Sequence, residues 1–91
     1  MTAAEHRLLV TPPAQRGLDR LPAAAAAAVV EFLLGDLLSE PRRVGKPLRG
    51  DLAGTWSARR GPYRVVYSID SDTRTVAVLR IEHRADVYRR R

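Results

Sequence analysis

Three strand-like segments joined by two short turns fill the C-terminal half of this chain and constrain its fold more than any other feature. The segments span residues 55–60, 63–69 and 73–82. Gly61-Pro62 separates the first two, and a polar turn that begins at Asp70 separates the second from the third. Turns this short join antiparallel neighbours, because a parallel connection needs roughly a dozen residues or more. The sequence therefore predicts an antiparallel three-stranded meander.

The N-terminal half is typical of one strand followed by two helices. Residues 6–10 are rich in branched apolar side chains and predict a strand. Thr11 precedes two prolines and can cap a short first helix, whereas the alanine-rich residues 22–38 predict a second helix that ends before Pro41. Residues 42–54 are predicted to form a loop. The order β-α-α-β-β-β predicts an α+β fold, with the N-terminal strand and the αα-hairpin packed on one face of a small, mainly antiparallel twisted sheet.

Size and composition exclude several classes of protein. A chain of 91 residues forms one small domain, and the absence of cysteine excludes disulfides, thiolate chemistry and cysteine-based zinc sites. The longest uncharged stretch, residues 21–30, is shorter than the roughly 18–20 residues that span a bilayer. Residues 1–10 lack the apolar segment of a signal peptide. We therefore expect a cytoplasmic protein with no metal, no cofactor and no membrane partner.

The positive charge is concentrated in the second half of the chain. Residues 1–41 carry three basic and five acidic side chains, whereas residues 42–91 carry 13 basic and five acidic ones, a net charge of +8. All of those basic residues except Lys46 are arginines. Because the planar guanidinium group suits phosphate, this half indicates binding to nucleic acid or to an acidic protein. A merely solubilising basic surface is the alternative.

The two-residue turn at Gly61-Pro62 predicts the register of the first hairpin. With an even-length turn, Arg59 lies directly opposite Arg64 on one face of the sheet. Like charges at such positions destabilise a sheet by some tenths of a kcal/mol. The register therefore indicates an anion bound between the two arginines, and pairing with a carboxylate such as Asp51 or Glu82 is the alternative. The same register predicts that four residues face the helices: Trp56, Ala58, Val65 and Tyr67.

The end of the last predicted strand adds two side chains that can take part in proton transfer. Histidine is the residue type best suited to moving a proton near neutral pH, so His83 is a candidate acid or base. Tyr88 could stack on a base or donate its hydroxyl proton. A surface role for His83 and a packing role for Tyr88 are the alternatives. Nucleotide-binding glycine loops, HExxH and GxSxG motifs are absent from the sequence, so any catalysis would depend on arginine, histidine and tyrosine.

Three sequence landmarks resemble those of the RelE/ParE superfamily of type II toxin–antitoxin toxins. They are Leu48-Arg49-Gly50, Tyr63-Arg64-Val65-Val66-Tyr67 and His83-Arg84-Ala85-Asp86-Val87-Tyr88. The resemblance covers nearly the whole chain and is strongest to actinobacterial members of the RelE branch. It implies a single RelE-like toxin domain over residues 1–91.

The resemblance also implies an activity and partners. RelE-like toxins are metal-independent, ribosome-dependent mRNA endonucleases that inhibit translation. In their reaction the ribose 2′-OH attacks the adjacent phosphate, which leaves a 2′,3′-cyclic phosphate and a 5′-OH. The implied partners are the ribosome, mRNA and an acidic cognate antitoxin of RelB-like or Phd-like type.

Site residues follow from the resemblance residue by residue. The implied catalytic residues are Arg59, Arg64, His83, Arg84 and Tyr88. The implied RNA-binding residues are Lys46, Arg49 and Arg60. Ser57 departs from the pattern, because the best-known member of the family has a lysine there, and His83, Arg60 or Lys46 could compensate for the missing cation.

Two other functions fit the same superfamily. One is that of a ParE-like toxin that inhibits DNA gyrase without being an enzyme. The other is that of a catalytically weak toxin that acts with its antitoxin in transcriptional autoregulation. The C-terminal histidine and tyrosine favour the endonuclease.

Overall fold

A five-stranded sheet forms the centre of the fold in the computed structural model, which describes residues 6–83. The strands lie in the order β1-β5-β4-β3-β2. β1 pairs parallel with β5, and the other neighbours are antiparallel. The strand bounds are Arg7–Val10 (β1), Lys46–Pro47 (β2), Trp56–Arg60 (β3), Tyr63–Asp70 (β4) and Thr75–His83 (β5). The predicted meander and α+β class are confirmed.

The first helix, α1 (Pro12–Asp19), begins at the predicted cap. The Thr11 Oγ1 accepts a 3.4 Å hydrogen bond from the backbone N–H of Ala14 and donates to the carbonyl oxygen of Val78 at 2.8 Å. Gly17 lowers the helix propensity of α1, but a Cβ there would collide with the backbone carbonyl of Ile81. The glycine therefore allows α1 to pack closely against β5.

The second predicted helix is continuous in extent but changes its winding. α2 spans Ala23–Phe32 and continues over Leu33–Leu37 with π-helical hydrogen bonding. Its apolar side chains pack on the sheet face that carries Val65 and Tyr67. The buried core comprises Ala14, Val29, Phe32, Leu33, Leu37, Leu38, Ala58, Val65, Tyr67, Val76, Val78 and Ile81. Within residues 6–83 no helix is both long and apolar enough to cross a bilayer.

The prediction of a plain loop over residues 42–54 is wrong. This segment contains part of a short helix, α3 (Pro41–Val44), then β2, then a 3-10 turn over Gly50–Leu52. β2 has only two residues, one of them a proline, so it lacks the alternation by which a strand is recognised. It is a strand only because Lys46 and Pro47 pair with Ser57 and Trp56 of β3, and no local sequence signal predicts that pairing.

The two sheet faces have different surroundings. Paired residues in neighbouring strands lie on the same face, and successive residues in one strand alternate between faces. Ala58, Val65 and Tyr67 are buried on the helix side, as predicted, and Trp56 is partly buried there. The opposite face is covered by no helix in the described part of the chain, and it carries the exposed side chains of Arg59 and Arg64.

Candidate functional site

The predicted arginine pair forms as the hairpin register requires. Arg59 is the direct cross-strand partner of Arg64. Gly61 has a φ of +59°, which suits the first turn position of a two-residue hairpin. Side chains in such a pair have Cβ atoms about 5 Å apart. Both arginines are exposed, and within residues 6–83 the side chain of neither forms a hydrogen bond or an ion pair with another residue. Two guanidinium groups with free donors are a suitable site for one phosphate.

A third cation lies beside this pair. Lys46 in β2 is the cross-strand partner of Ser57, and Ser57 is on the same face of β3 as Arg59. The sheet therefore brings Lys46 to the position next to the serine that departs from the family pattern. A fourth cation, Arg80, pairs with Val66 on the same face. We call the surface formed by Lys46, Arg59, Arg64 and Arg80 the basic face.

One carboxylate lies within the basic face. Glu82 is the direct cross-strand partner of Arg64, and its Oε2 is 3.5 Å from the Nη1 of Arg80. Its side chain is 23% exposed, compared with 61% for that of Arg80. Asp51, the other carboxylate considered from the sequence, is exposed in the 3-10 turn that follows β2. In the described range, neither carboxylate forms an ion pair with Arg59 or Arg64.

Two residues expected to bind RNA are separate from the basic face. Arg60 follows Arg59 and therefore points to the helix side, where its guanidinium carbon lies 4.7 Å from the ring centroid of Phe32. Its Nη2 is 3.7 Å from the Oδ2 of Asp36. Arg49 is exposed in the segment between β2 and β3, at the opposite end of β3 from Arg59. The sheet does not bring either residue to the arginine pair.

His83 also lies on the helix side of the sheet. It pairs with Tyr63 at the end of β5, and the two rings meet edge to face with centroids 5.0 Å apart. Its neighbour Glu82, rather than His83, shares a face with Arg64. The other two predicted catalytic residues, Arg84 and Tyr88, lie outside the described residues. Their roles stay predictions.

Tyr67, which the sequence predicts only as a core residue, lies on the helix side of the sheet, opposite the basic face. The hydroxyl of Tyr67 donates a 2.6 Å hydrogen bond to the carbonyl oxygen of Pro41. Burial raises the pKa of Tyr67 to about 12, so the hydroxyl stays protonated at neutral pH and remains a donor. A Cβ on Gly45 would collide with this hydroxyl and crowd the carbonyl oxygen of Ser57. Tyr67 and Gly45 therefore hold the chain that leads directly to Lys46.

Comparisons with known proteins agree on one family. A family model described as the ParE toxin of type II toxin–antitoxin systems matches residues 8–88. The toxin RelG of Mycobacterium tuberculosis is 61% identical over 80 residues, which cover 88% of this chain and 92% of RelG. The toxin RelE of the same organism is 51% identical over 84 residues, 92% of this chain and 87% of that relative.

The fold agrees with the same relationship. The crystal structure of the toxin–antitoxin complex RelBE2 from Mycobacterium tuberculosis contains a chain that superposes with a TM-score of 0.86 at 54% sequence identity. The superposition covers 89% of this protein and 100% of the matched chain in the complex.

Proposed function

Because the chain belongs to the ParE toxin family of type II toxin–antitoxin systems, as a member similar to the RelE toxins, we propose that it is a metal-independent, ribosome-dependent mRNA endonuclease. The observation that carries this proposal is the cross-strand pair Arg59–Arg64, whose guanidinium donors meet no partner within residues 6–83. A phosphate is the ligand that best satisfies two such groups.

The chemistry assigned to the arginines is stabilisation of charge. As the 2′-oxygen attacks the phosphorus, the bond to the 5′-oxygen breaks and negative charge grows on the phosphate oxygens. Arg64 and Arg59 donate hydrogen bonds to those oxygens. One such preorganised contact contributes about 3–4 kcal/mol to the transition state. His83, Arg84 and Tyr88 remain the proposed residues for proton transfer and base stacking at the end of β5 and beyond.

Lys46 completes the cationic site in this proposal. The best-known member of the family has a lysine at the position of Ser57, which lies on β3 in this chain. Here the cation comes from β2, directly across from Ser57. This pairing supports Lys46, rather than Arg60 or Arg49, as the residue that substitutes for the missing lysine.

The proposed regulator is an acidic antitoxin. The RelBE2 relative was solved as a toxin–antitoxin complex, and the basic half of this chain, with its net charge of +8, suits a negatively charged segment of RelB-like or Phd-like type. An antitoxin segment that covers the basic face would exclude RNA from the same arginines, so we expect competitive inhibition. Association should be fast and should slow as salt is added.

The test is cleavage of mRNA in the ribosomal A site, read by primer extension. The wild-type toxin should produce discrete cuts with 5′-OH products, and Arg64→Ala should lower the rate by about 10²–10³-fold. Arg16→Ala is the matched control, because Arg16 is an exposed arginine on α1 and its loss changes the net charge equally. A wild-type toxin that leaves mRNA intact but blocks DNA supercoiling would replace this proposal with the gyrase-inhibitor function.

A further inference from the structure

The position of Glu82 needs an explanation that RNA binding does not provide. A carboxylate repels the phosphates that the rest of the basic face attracts, so a surface that only bound RNA would be better without it. Glu82 nevertheless lies directly across from Arg64, on the same face and partly shielded from solvent. Among the described strand residues, it is the carboxylate that pairs directly across the sheet with one of the two arginines. Asp70, also on this face of β4, is about 20 Å further along the strand.

We propose that Glu82 is the general base that takes the proton from the 2′-OH of the RNA, an assignment that rests on the endonuclease function proposed above. Arginine and lysine side chains act as donors, so the cationic residues of the basic face are poor candidates to accept this proton. Glutamate accepts through both carboxylate oxygens. The described basic face therefore pairs one proton acceptor with the cations that hold the phosphate.

The geometry suits this division of roles. Cross-strand neighbours have Cβ atoms about 5 Å apart. The 2′-oxygen and the phosphate that it attacks belong to one nucleotide step, so the groups that serve them must be neighbours as well. With Arg64 on a phosphate oxygen, Glu82 is the next side chain across the sheet. The contact with Arg80 engages Oε2, which orients the carboxylate and leaves Oε1 to accept the 2′-OH proton.

The proposed step balances in atoms and charge. The 2′-O–H bond breaks and its proton goes to Glu82, while the freed electron pair forms the bond from the 2′-oxygen to phosphorus. The bond from phosphorus to the 5′-oxygen breaks, and that oxygen takes a proton from an acid or from water. Glu82 then returns its proton to water. The products are a 2′,3′-cyclic phosphate and a 5′-OH, and neither a metal nor an oxidant takes part.

Glu82→Gln tests the assignment because it removes the base and the charge but keeps the size of the side chain. Single-turnover cleavage on the ribosome should fall by about 10²–10⁴-fold. Binding to RNA with a 2′-deoxy group at the cleavage site, which cannot be cut, should stay equal or become tighter, since a repulsive charge is gone. Glu82→Asp should recover part of the rate. The matched control is Asp51→Asn, which removes the same charge from the exposed 3-10 turn and should cleave at the wild-type rate.

A structural role for Glu82 gives the opposite result. If the carboxylate only neutralises the nearby arginines, Glu82→Gln cleaves as fast as the wild type or faster, and the assignment is overturned. RNA with sulfur in place of the 5′-oxygen provides a second measurement, because a sulfur leaving group needs no protonation. A Glu82→Gln variant that this substrate restores would have lost an acid, which also contradicts the assignment. If Glu82 is the base, Glu82→Gln should cleave the sulfur-containing substrate slowly as well. Failure of the wild type to cut either substrate would refute the endonuclease function itself.

Discussion

Lys46 lies directly opposite Ser57 across the β2–β3 pair, on the same sheet face as Arg59 and Arg64. The ammonium group beside Ser57 therefore belongs to Lys46, in a neighbouring strand of only two residues. The segment that leads to β2 is also joined to β4 by the hydrogen bond from the Tyr67 hydroxyl to the carbonyl oxygen of Pro41, a contact between residues far apart in sequence.

Exchange of the two residues tests whether the cation or its strand of origin matters. Lys46→Ala should lower mRNA cleavage by about 10–100-fold, because one charge-assisted hydrogen bond to phosphate contributes about 1.5–3 kcal/mol. Adding Ser57→Lys to that variant should recover most of the rate, since the new ammonium group starts from the adjacent position on the same face. If the double variant is as slow as Lys46→Ala, Lys46 has a role other than supplying charge.

Arg60 should contribute to stability rather than to cleavage. Its guanidinium group lies over Phe32 and near Asp36, on the helix side. Arg60→Ala should lower the free energy of unfolding in urea by about 0.5–1 kcal/mol. Cleavage should stay at the wild-type rate, in contrast to Arg59→Ala, which removes the neighbouring arginine from the other face. A large loss of activity in Arg60→Ala with unchanged stability would contradict the placement of its side chain.

The buried hydroxyl of Tyr67 predicts a pH-dependent stability. The pKa is raised to about 12 in the folded protein, above the ordinary value of 10.0 that holds in the unfolded chain. The resulting stabilisation is complete below pH 10 and is lost as the pH rises towards 12, at up to about 1.4 kcal/mol per pH unit. Tyr67→Phe removes this titration, so the difference in unfolding free energy between wild type and variant should shrink over that range. A constant difference from pH 9 to 12 would argue against a buried, protonated hydroxyl.

Two helical glycines should respond oppositely to the same substitution. Alanine normally stabilises a helix interior by about 0.5–1 kcal/mol relative to glycine. Gly17→Ala should instead destabilise the protein, by about 1–3 kcal/mol, because the new methyl group meets the backbone of Ile81. Gly35→Ala is the control, since a Cβ there has open space around it. Thermal unfolding of both variants measures the contrast, and a stabilised Gly17→Ala protein would show that α1 can move away from β5.

His83→Gln separates a proton-transfer role from a packing role. Loss of an acid or base should cost cleavage about 10²–10⁴-fold. Loss of the edge-to-face contact with Tyr63 alone should affect stability and leave the rate of the chemical step nearly unchanged. Because His83 and Arg64 lie on opposite sheet faces, a rate loss of that size would require the RNA to reach both faces at the end of β5.

Local sequence patterns determined β1, α1, α2, the three meander strands and the pairing of the hairpin, but not α3 or β2. The Thr11 cap, the alanine-rich helix and the Gly61 turn each act over a few residues, and the two-residue turn alone placed Arg59 opposite Arg64. Tertiary structure decided which side chains from different elements lie next to one another. Pairing with β3 set Lys46 beside Ser57, the register between β4 and β5 put Glu82 rather than His83 across from Arg64, and packing of α2 on the sheet placed Phe32 against the guanidinium group of Arg60. The reason is physical: a turn or a cap acts within one local segment, whereas the face on which a side chain serves depends on pairing and packing between residues distant in the chain.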